Sequence, residues 1–268
     1  MRRFLITLLA SVLVCAPAFA QVGVKISTRS EKLSDFRIKT TMVVLGGNDF
    51  QDIALKEAVR NSWTINPYEF CSYERYLEIH GDSNYYFMIR VTDKKKKGIS
   101  FLTLVKGGEG SPENKLTVFT MPVGASGATD GSEEVFLTAL MGMMQENVEK
   151  GLQSSMVTLG SVKGGKERLR GMKIYFNDED LVTDAHMGKD MFKVGREEAE
   201  DIMMSGAYNT AVSYVIAPLE PANNSLCYKM LIDVRTSELL YFEKHRIGKD
   251  NGAGFLKKDI KKLSRRRK

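Results

Sequence analysis

Apolar positions along this chain change period repeatedly, and each change marks an element. Thr41 to Leu45 is a short β-branched and apolar run closed by Gly46-Gly47, which predicts a buried strand and a turn. Asn48 or Asp49 can cap a helix that brings Phe50, Ile53, Ala54, Ala58 and Val59 to one face before Trp63. Asn66-Pro67 breaks it. Tyr68 to Cys71 then reads as a strand, and Ser72 as the cap of a short helix through Ile79. Tyr85 to Thr92 and Ile99 to Val105 are β-rich runs joined by Asp93, four lysines and Gly98, the pattern of a hairpin. Leu116 to Met121 adds a strand, and the Gly/Ser-rich residues 122–132 read as a flexible loop.

The strongest helical signal follows. Ser132 is placed to cap it, Glu133 and Glu134 suit the positive end of its dipole, and Val135, Phe136, Ala139, Leu140, Met143, Met144, Val148 and Leu152 recur every three to four residues. After a polar, glycine-containing connection, Met172 to Phe176 predicts a strand and the residues to Asp190 an irregular acidic segment. A helix over 196–209, weakened by Gly206, precedes strands at 212–217, 225–234 and 238–246 and a closing helix over Gly252 to Leu263. Both halves therefore read strand, helix, strand, hairpin and closing helix, a duplication in element order. The expected fold is α/β, with α+β as the alternative: mixed sheets covered by helices, in two similar halves. The expected division is a leader at 1–20, a linker or edge strand at 21–37, a first unit at 38–152, a connection at 153–170, a second unit at 171–264 and a basic tail at 265–268.

The leader changes the reading of everything after it. Arg2 and Arg3, the apolar run Phe4 to Val14 and Ala18-Phe19-Ala20 form a signal-peptide pattern with cleavage expected before Gln21. Export is expected, to the periplasm first and the extracellular space as the alternative. The apolar run is too short for a membrane span, and Val14 before Cys15 does not make a lipobox. An apolar content of 43% with 27% charge is that of a globular chain. Loss of Arg2 and Arg3 lowers the net charge from +6 to +4; residues 257–268 carry eight Lys/Arg against Asp259, a net of +7, so the rest stands at −3. The basic character belongs to the tail. Cys71 and Cys227 stay after cleavage, able to bridge in an oxidising compartment or to lie as buried thiols in their apolar runs.

Tyr214-Val215-Ile216, followed by Tyr228 to Val234 and then Arg235-Thr236-Ser237-Glu238-Leu239-Leu240, resembles a hairpin of bacterial envelope proteins. It is similar to that of the lipoprotein activators of penicillin-binding proteins, the curli-secretion lipoprotein and the amino-terminal domain of the Tol-system propeller protein. Their phrase is an aliphatic strand, Asp-x-Lys/Arg-Thr-Gly-Glu and a second aliphatic strand; here Ser237 replaces the glycine. The resemblance spans residues 213–246, carries no catalytic residue and implies an accessory or binding role in the envelope.

Candidate chemistry is sparse. His80, His186 and His245 form no tight pair, which removes the usual zinc-hydrolase framework, and His80 and His245 read as solvated surface side chains. Gly124-Ala125-Ser126-Gly127-Ala128 lacks the second glycine of a nucleophile elbow and the Gly-Lys-Ser/Thr ending of a phosphate cradle. Asn177, Asp178, Glu179, Asp180 and Asp184 are oxygen-rich but lack the EF-hand spacing, and His186, Met187 and Met191 are soft donors amid many core-filling methionines. No cofactor is expected. The tail residues Lys257, Lys258, Lys261, Lys262, Arg265, Arg266, Arg267 and Lys268 suit an anionic surface, with a solvated helix face as the alternative. Export argues against nucleic acid as partner. The expected function is a non-enzymatic accessory or binding protein of the envelope, its partner another envelope protein or a cell-wall component. The alternative is an enzyme whose site gathers distant carboxylates such as Asp178, Asp180 and Asp184.

Overall fold

The computed structural model describes residues 33–92, 98–108, 117–128, 131–153, 168–182 and 186–266. The leader, the four lysines 94–97, Asp184, Arg267 and Lys268 lie outside the described residues. In chain order the elements are β1 (Thr40–Leu45), α1 (Asp49–Ser62), β2 (Tyr68–Ser72), α2 (Tyr73–Ile79), β3 (Tyr85–Thr92), β4 (Ile99–Lys106), β5 (Thr117–Ala125) and α3 (Ser132–Gln153). The second half contributes β6 (Lys173–Asn177), β7 (Met191–Val194), α4 (Arg196–Met204), β8 (Thr210–Ile216), β9 (Leu226–Asp233), β10 (Leu239–Arg246) and α5 (Lys257–Arg266).

The strands form two mixed five-stranded sheets, ordered β2-β1-β3-β4-β5 and β7-β6-β8-β9-β10. In each, the first strand is parallel to the second and third, and the last three are antiparallel. The fold is therefore α/β with two similar halves. They differ at the first crossover, where α1 of the first half is matched by a 3-10 turn at Asp178–Asp180.

Alternation assigns each sheet two buried faces, as parallel strands require. In β8, Val212 and Tyr214 enter the main core while Ala211 faces a second cluster. That main core also holds Ala54, Leu55 and Val59 of α1, most of the apolar face of α3, and Ala199 and Met203 of α4. Tyr76 of α2 packs with Met42, Val44 and Phe87 on the far side of the first sheet, and Ile260 and Leu263 of α5 cover the far side of the second. The layers thus run α2, first sheet, a central layer of α1, α3 and α4, second sheet, α5. No helix among the described residues is long and apolar enough to cross a membrane.

Local chemistry sets the element ends. Asn48 and Ser72 cap α1 and α2, accepting from the amides of Gln51 and Arg75. Several expectations are corrected. Phe50 and Ile53 are 77% and 55% exposed, because the stripe that meets the core is Ala54, Leu55, Ala58 and Val59. At roughly 100° per residue, Ile53 lies opposite the centre of that stripe and Phe50 at its edge, in the first turn of the helix. β5 runs on through Pro122, Val123 and Gly124, so the glycine-rich stretch begins as buried sheet rather than loop. α3 includes Ser132 itself, one residue earlier than a cap there requires. Edge strand β7 follows the acidic segment at Met191, where no strand was expected because four residues are too few to show alternation, and α4 stops at Met204, just before Gly206 at φ +64°. α5 begins at Lys257, with Phe255 and Leu256 buried ahead of it. Leu33 and Phe36 are buried around a 3-10 turn, Phe36 lying edge-on to Tyr86 and Trp63. Cys71 and Cys227 are buried free thiols on the outward faces of different sheets, so the intervening layers keep them apart.

In the β9–β10 hairpin, Asp233 Oδ1 accepts from the amides of Arg235 and Thr236 at 2.9 and 2.8 Å, forming an Asx turn. Ser237 closes that turn at φ +58°, a region that costs an L-residue free energy and glycine little. Ser237→Gly is expected to stabilise the protein by about 0.5–1 kcal/mol, read as a raised urea midpoint with unchanged slope.

Candidate binding cleft

β6 lies between β7 and β8, and the chain leaves it first to one side and then crosses to the other. That reversal opens a crevice beyond the carboxyl ends of β6 and β8, where sheets of this kind take ligands. Asn177 ends β6, and its side-chain oxygen accepts from the Glu179 amide, so the chain turns at once through Asp178–Asp180. The turn points Asp178 and Glu179 outward and folds Asp180 back under the sheet edge, 8% exposed. The amide of Phe255 donates to the Asp180 carbonyl at 2.6 Å and holds the turn down. Gly254 makes this approach possible: at φ +129°, a Cβ there would lie 2.4 Å from the same carbonyl.

Ser213, in the middle of β8, donates its hydroxyl to Asp180 Oδ2 at 2.5 Å and accepts from the Asn177 amide at 3.0 Å. Burial pushes the Asp180 carboxyl up to about 7; the Ser213 hydrogen bond opposes that rise, nearby Glu179 adds to it, and Arg196 opposes it. Beside this pair is a cavity of about 190 Å³, with Glu179, Arg196 and Glu200 at its polar side and Phe136 and Tyr214 at its apolar side. Glu179 and Arg196 form an ion pair. Phe136 of α3 stacks on Tyr214 with ring centroids 4.2 Å apart, and the Tyr214 hydroxyl donates to the Val123 carbonyl at 2.7 Å, so the first half builds one wall. The cavity has the size of one side chain or a small ligand, with one buried acid at its base.

Of the carboxylates expected to converge, Asp180 alone is placed here: Asp178 is exposed and Asp184 lies outside the described residues. Glu179 and Glu200 join it at the cleft. Among the described residues, no three His, Cys, Asp or Glu side chains are grouped to hold a metal. His186 is exposed, while Met187 and Met191 pack at the second-sheet core. His80 ends α2 beside Tyr76. His245 departs from the surface reading: it is half-buried, its Nε2 lies 2.8 Å from the Gly252 carbonyl, and burial lowers its pKa. At Gly124, a Cβ would come within 1.8 Å of the Glu133 carboxylate, which is paired with Arg90. That carboxylate fills the space a phosphate would need. Burial raises the Cys227 thiol to about 11, far from a reactive thiolate.

A second polar group lies under α5. Lys229, 1% exposed, donates to Asp259 Oδ2 at 2.5 Å; Asp259 also accepts from the Tyr241 hydroxyl at 3.0 Å and the Leu256 amide at 2.8 Å. A single lysine within the apolar run Leu226–Ile232, and a single acid within the basic run 257–268, were the sequence signals for it. Lys257, Lys258, Lys261 and Arg265 point to solvent, and Lys262 pairs with Glu243 and lies over the Tyr241 ring. Arg266 ends the helix. Compared with family models, with curated proteins and with solved structures, the chain matches none of them.

Proposed function

We propose that this chain is an exported, non-enzymatic accessory protein of the bacterial envelope that holds part of another envelope protein or of a cell-wall component in the cleft beyond β6 and β8. The observation that carries this reading is how the polar groups of the cleft are used. Ser213 is 1% exposed and bonded in both directions, to Asp180 and to the Asn177 amide, and Glu179 is bonded to Arg196. Such a set fixes the shape and charge of a recess, and a buried, doubly bonded hydroxyl is poorly placed to attack a substrate. The leader pattern of residues 1–20 and the envelope-type hairpin at 213–246 support the same setting.

One observation favours a second reading, an enzyme using Asp180 as general acid or base: its carboxyl is raised to about 7 beside a cavity. The two readings part in one experiment. The mature chain is used to capture partners from an envelope fraction, beside an Ala217→Trp variant that fills the cleft. Capture of a defined component by the wild type and its loss in the folded variant supports binding. Turnover across hydrolase and transferase panels, abolished by Asp180→Asn, overturns it in favour of the enzyme.

A further inference from the structure

We infer that the solvent face of α5 is a preformed docking surface for an anionic membrane, and that the protein rests on such a surface through it. α5 spans Lys257–Arg266, and its side chains separate cleanly. Asp259, Ile260 and Leu263 are buried against the second sheet. Lys257, Lys258, Lys261 and Arg265 are exposed, and Lys262 is half-exposed beside Glu243. At roughly 100° per residue these five cations fall on one continuous arc of the helix, opposite the buried face. The single acid of the helix is turned inward onto Lys229, so the outward arc contains no carboxylate of its own.

Two features set this face apart from an ordinary solvated helix. First, it is rigidly mounted: the Asp259 carboxylate gathers Lys229, Tyr241 and the Leu256 amide, and Ile260 and Leu263 fill the core beneath. The cations need not be ordered as a helix on contact, which removes an entropic cost of binding. Second, the charge is concentrated. The chain outside 257–268 and the leader carries a net −3, while this segment carries +7, so a negative plane attracts one side of the molecule selectively. A flat bilayer of anionic headgroups matches an arc of evenly spread cations better than a localised acidic pocket would. No apolar side chain is free on this arc to insert, so the contact is electrostatic and lies at the headgroup level. The inference is independent of what the cleft holds.

The test is co-sedimentation of the full mature chain with vesicles of phosphatidylcholine alone or mixed with phosphatidylglycerol. Lys257→Gln, Lys258→Gln, Lys261→Gln and Arg265→Gln are combined in one variant; all four side chains are exposed, and glutamine keeps helix propensity. A control variant removes the same charge elsewhere, at the exposed Arg37, Lys173, Lys193 and Lys249, each to Gln. The wild type and control should bind mixed vesicles and release them as salt rises. The α5 variant, with unchanged circular dichroism and melting temperature, should bind more than roughly 100-fold more weakly, about fivefold for each cation lost. Equal binding by the α5 variant, equal loss in the control, or failure of the wild type to bind mixed vesicles overturns the inference. So does wild-type binding to soluble polyphosphate without binding to the vesicles.

Discussion

Replacing Lys229 with alanine is expected to cost the folded state about 3–5 kcal/mol, because it leaves the Asp259 carboxylate buried without its counter-charge. The Lys229 and Asp259 side chains are 1% and 6% exposed, so water cannot take over the lost bond. Replacing both partners should behave differently. Lys229→Met with Asp259→Asn removes both charges while the amide oxygen can still accept from Tyr241, and most of the stability should return. Urea unfolding of the two variants checks this; a loss below about 1 kcal/mol in Lys229→Ala would show that the pair is not what seats α5. A pH arm follows from Asp259. Burial alone would raise its pKa, but the bonds from Lys229, the Leu256 amide and Tyr241 outweigh it and hold the carboxyl below its ordinary 3.8. Its contribution is therefore present above that value and lost as pH falls through the lower folded-state value. The double variant should lack this acid-side loss.

Asp180→Asn is expected to stabilise the protein at pH 8 by on the order of 4 kcal/mol and to change little near pH 4. The folded carboxyl titrates near 7 and the unfolded one near 3.8, so between these values the native state binds the extra proton. Stability conferred by Asp180 is thus full below about pH 4 and is lost as pH rises to about 7. Asparagine keeps a carbonyl acceptor for the Ser213 hydroxyl, carries an uncharged NH2 donor in place of the acid's O–H, and does not titrate. The wild type should therefore lose stability relative to the variant across this window, measured as the difference in melting temperature against pH. Parallel profiles would mean that Asp180 is ionised throughout. The window lies above that of Asp259, so the two effects separate on one pH axis. A stability deficit at neutral pH, concentrated at a cleft, is what a binding or catalytic group commonly imposes on its fold.

The cleft illustrates what a sequence leaves hidden. The run Asn177-Asp178-Glu179-Asp180 was visible as a dense acidic cluster, yet nothing local distinguishes Asp180 from Asp178. The distinction arises when Phe255, 75 positions away, bonds the Asp180 carbonyl and Ser213 receives its carboxylate. Lys229 and Asp259 are 30 positions apart and each is conspicuous only against its neighbours. The outward basic face of α5 was legible as composition, but its separation from the buried Asp259 depends on how the helix is seated.

By itself, the sequence determined the period of most elements, though not of the four-residue β7, together with the caps at Asn48 and Ser72, the two hairpins and the repeated element order, because these follow from steric and hydrogen-bonding preferences within a few residues. It also set the leader pattern and the concentration of charge in the last dozen residues. The tertiary structure decided which helical face is buried, leaving Phe50 and Ile53 outside. It also put Cys71 and Cys227 on separate outward faces and assigned one aspartate of a cluster to a cleft. Those outcomes depend on desolvation and pairing between residues far apart in the chain, and such energies exist only once the layers have packed.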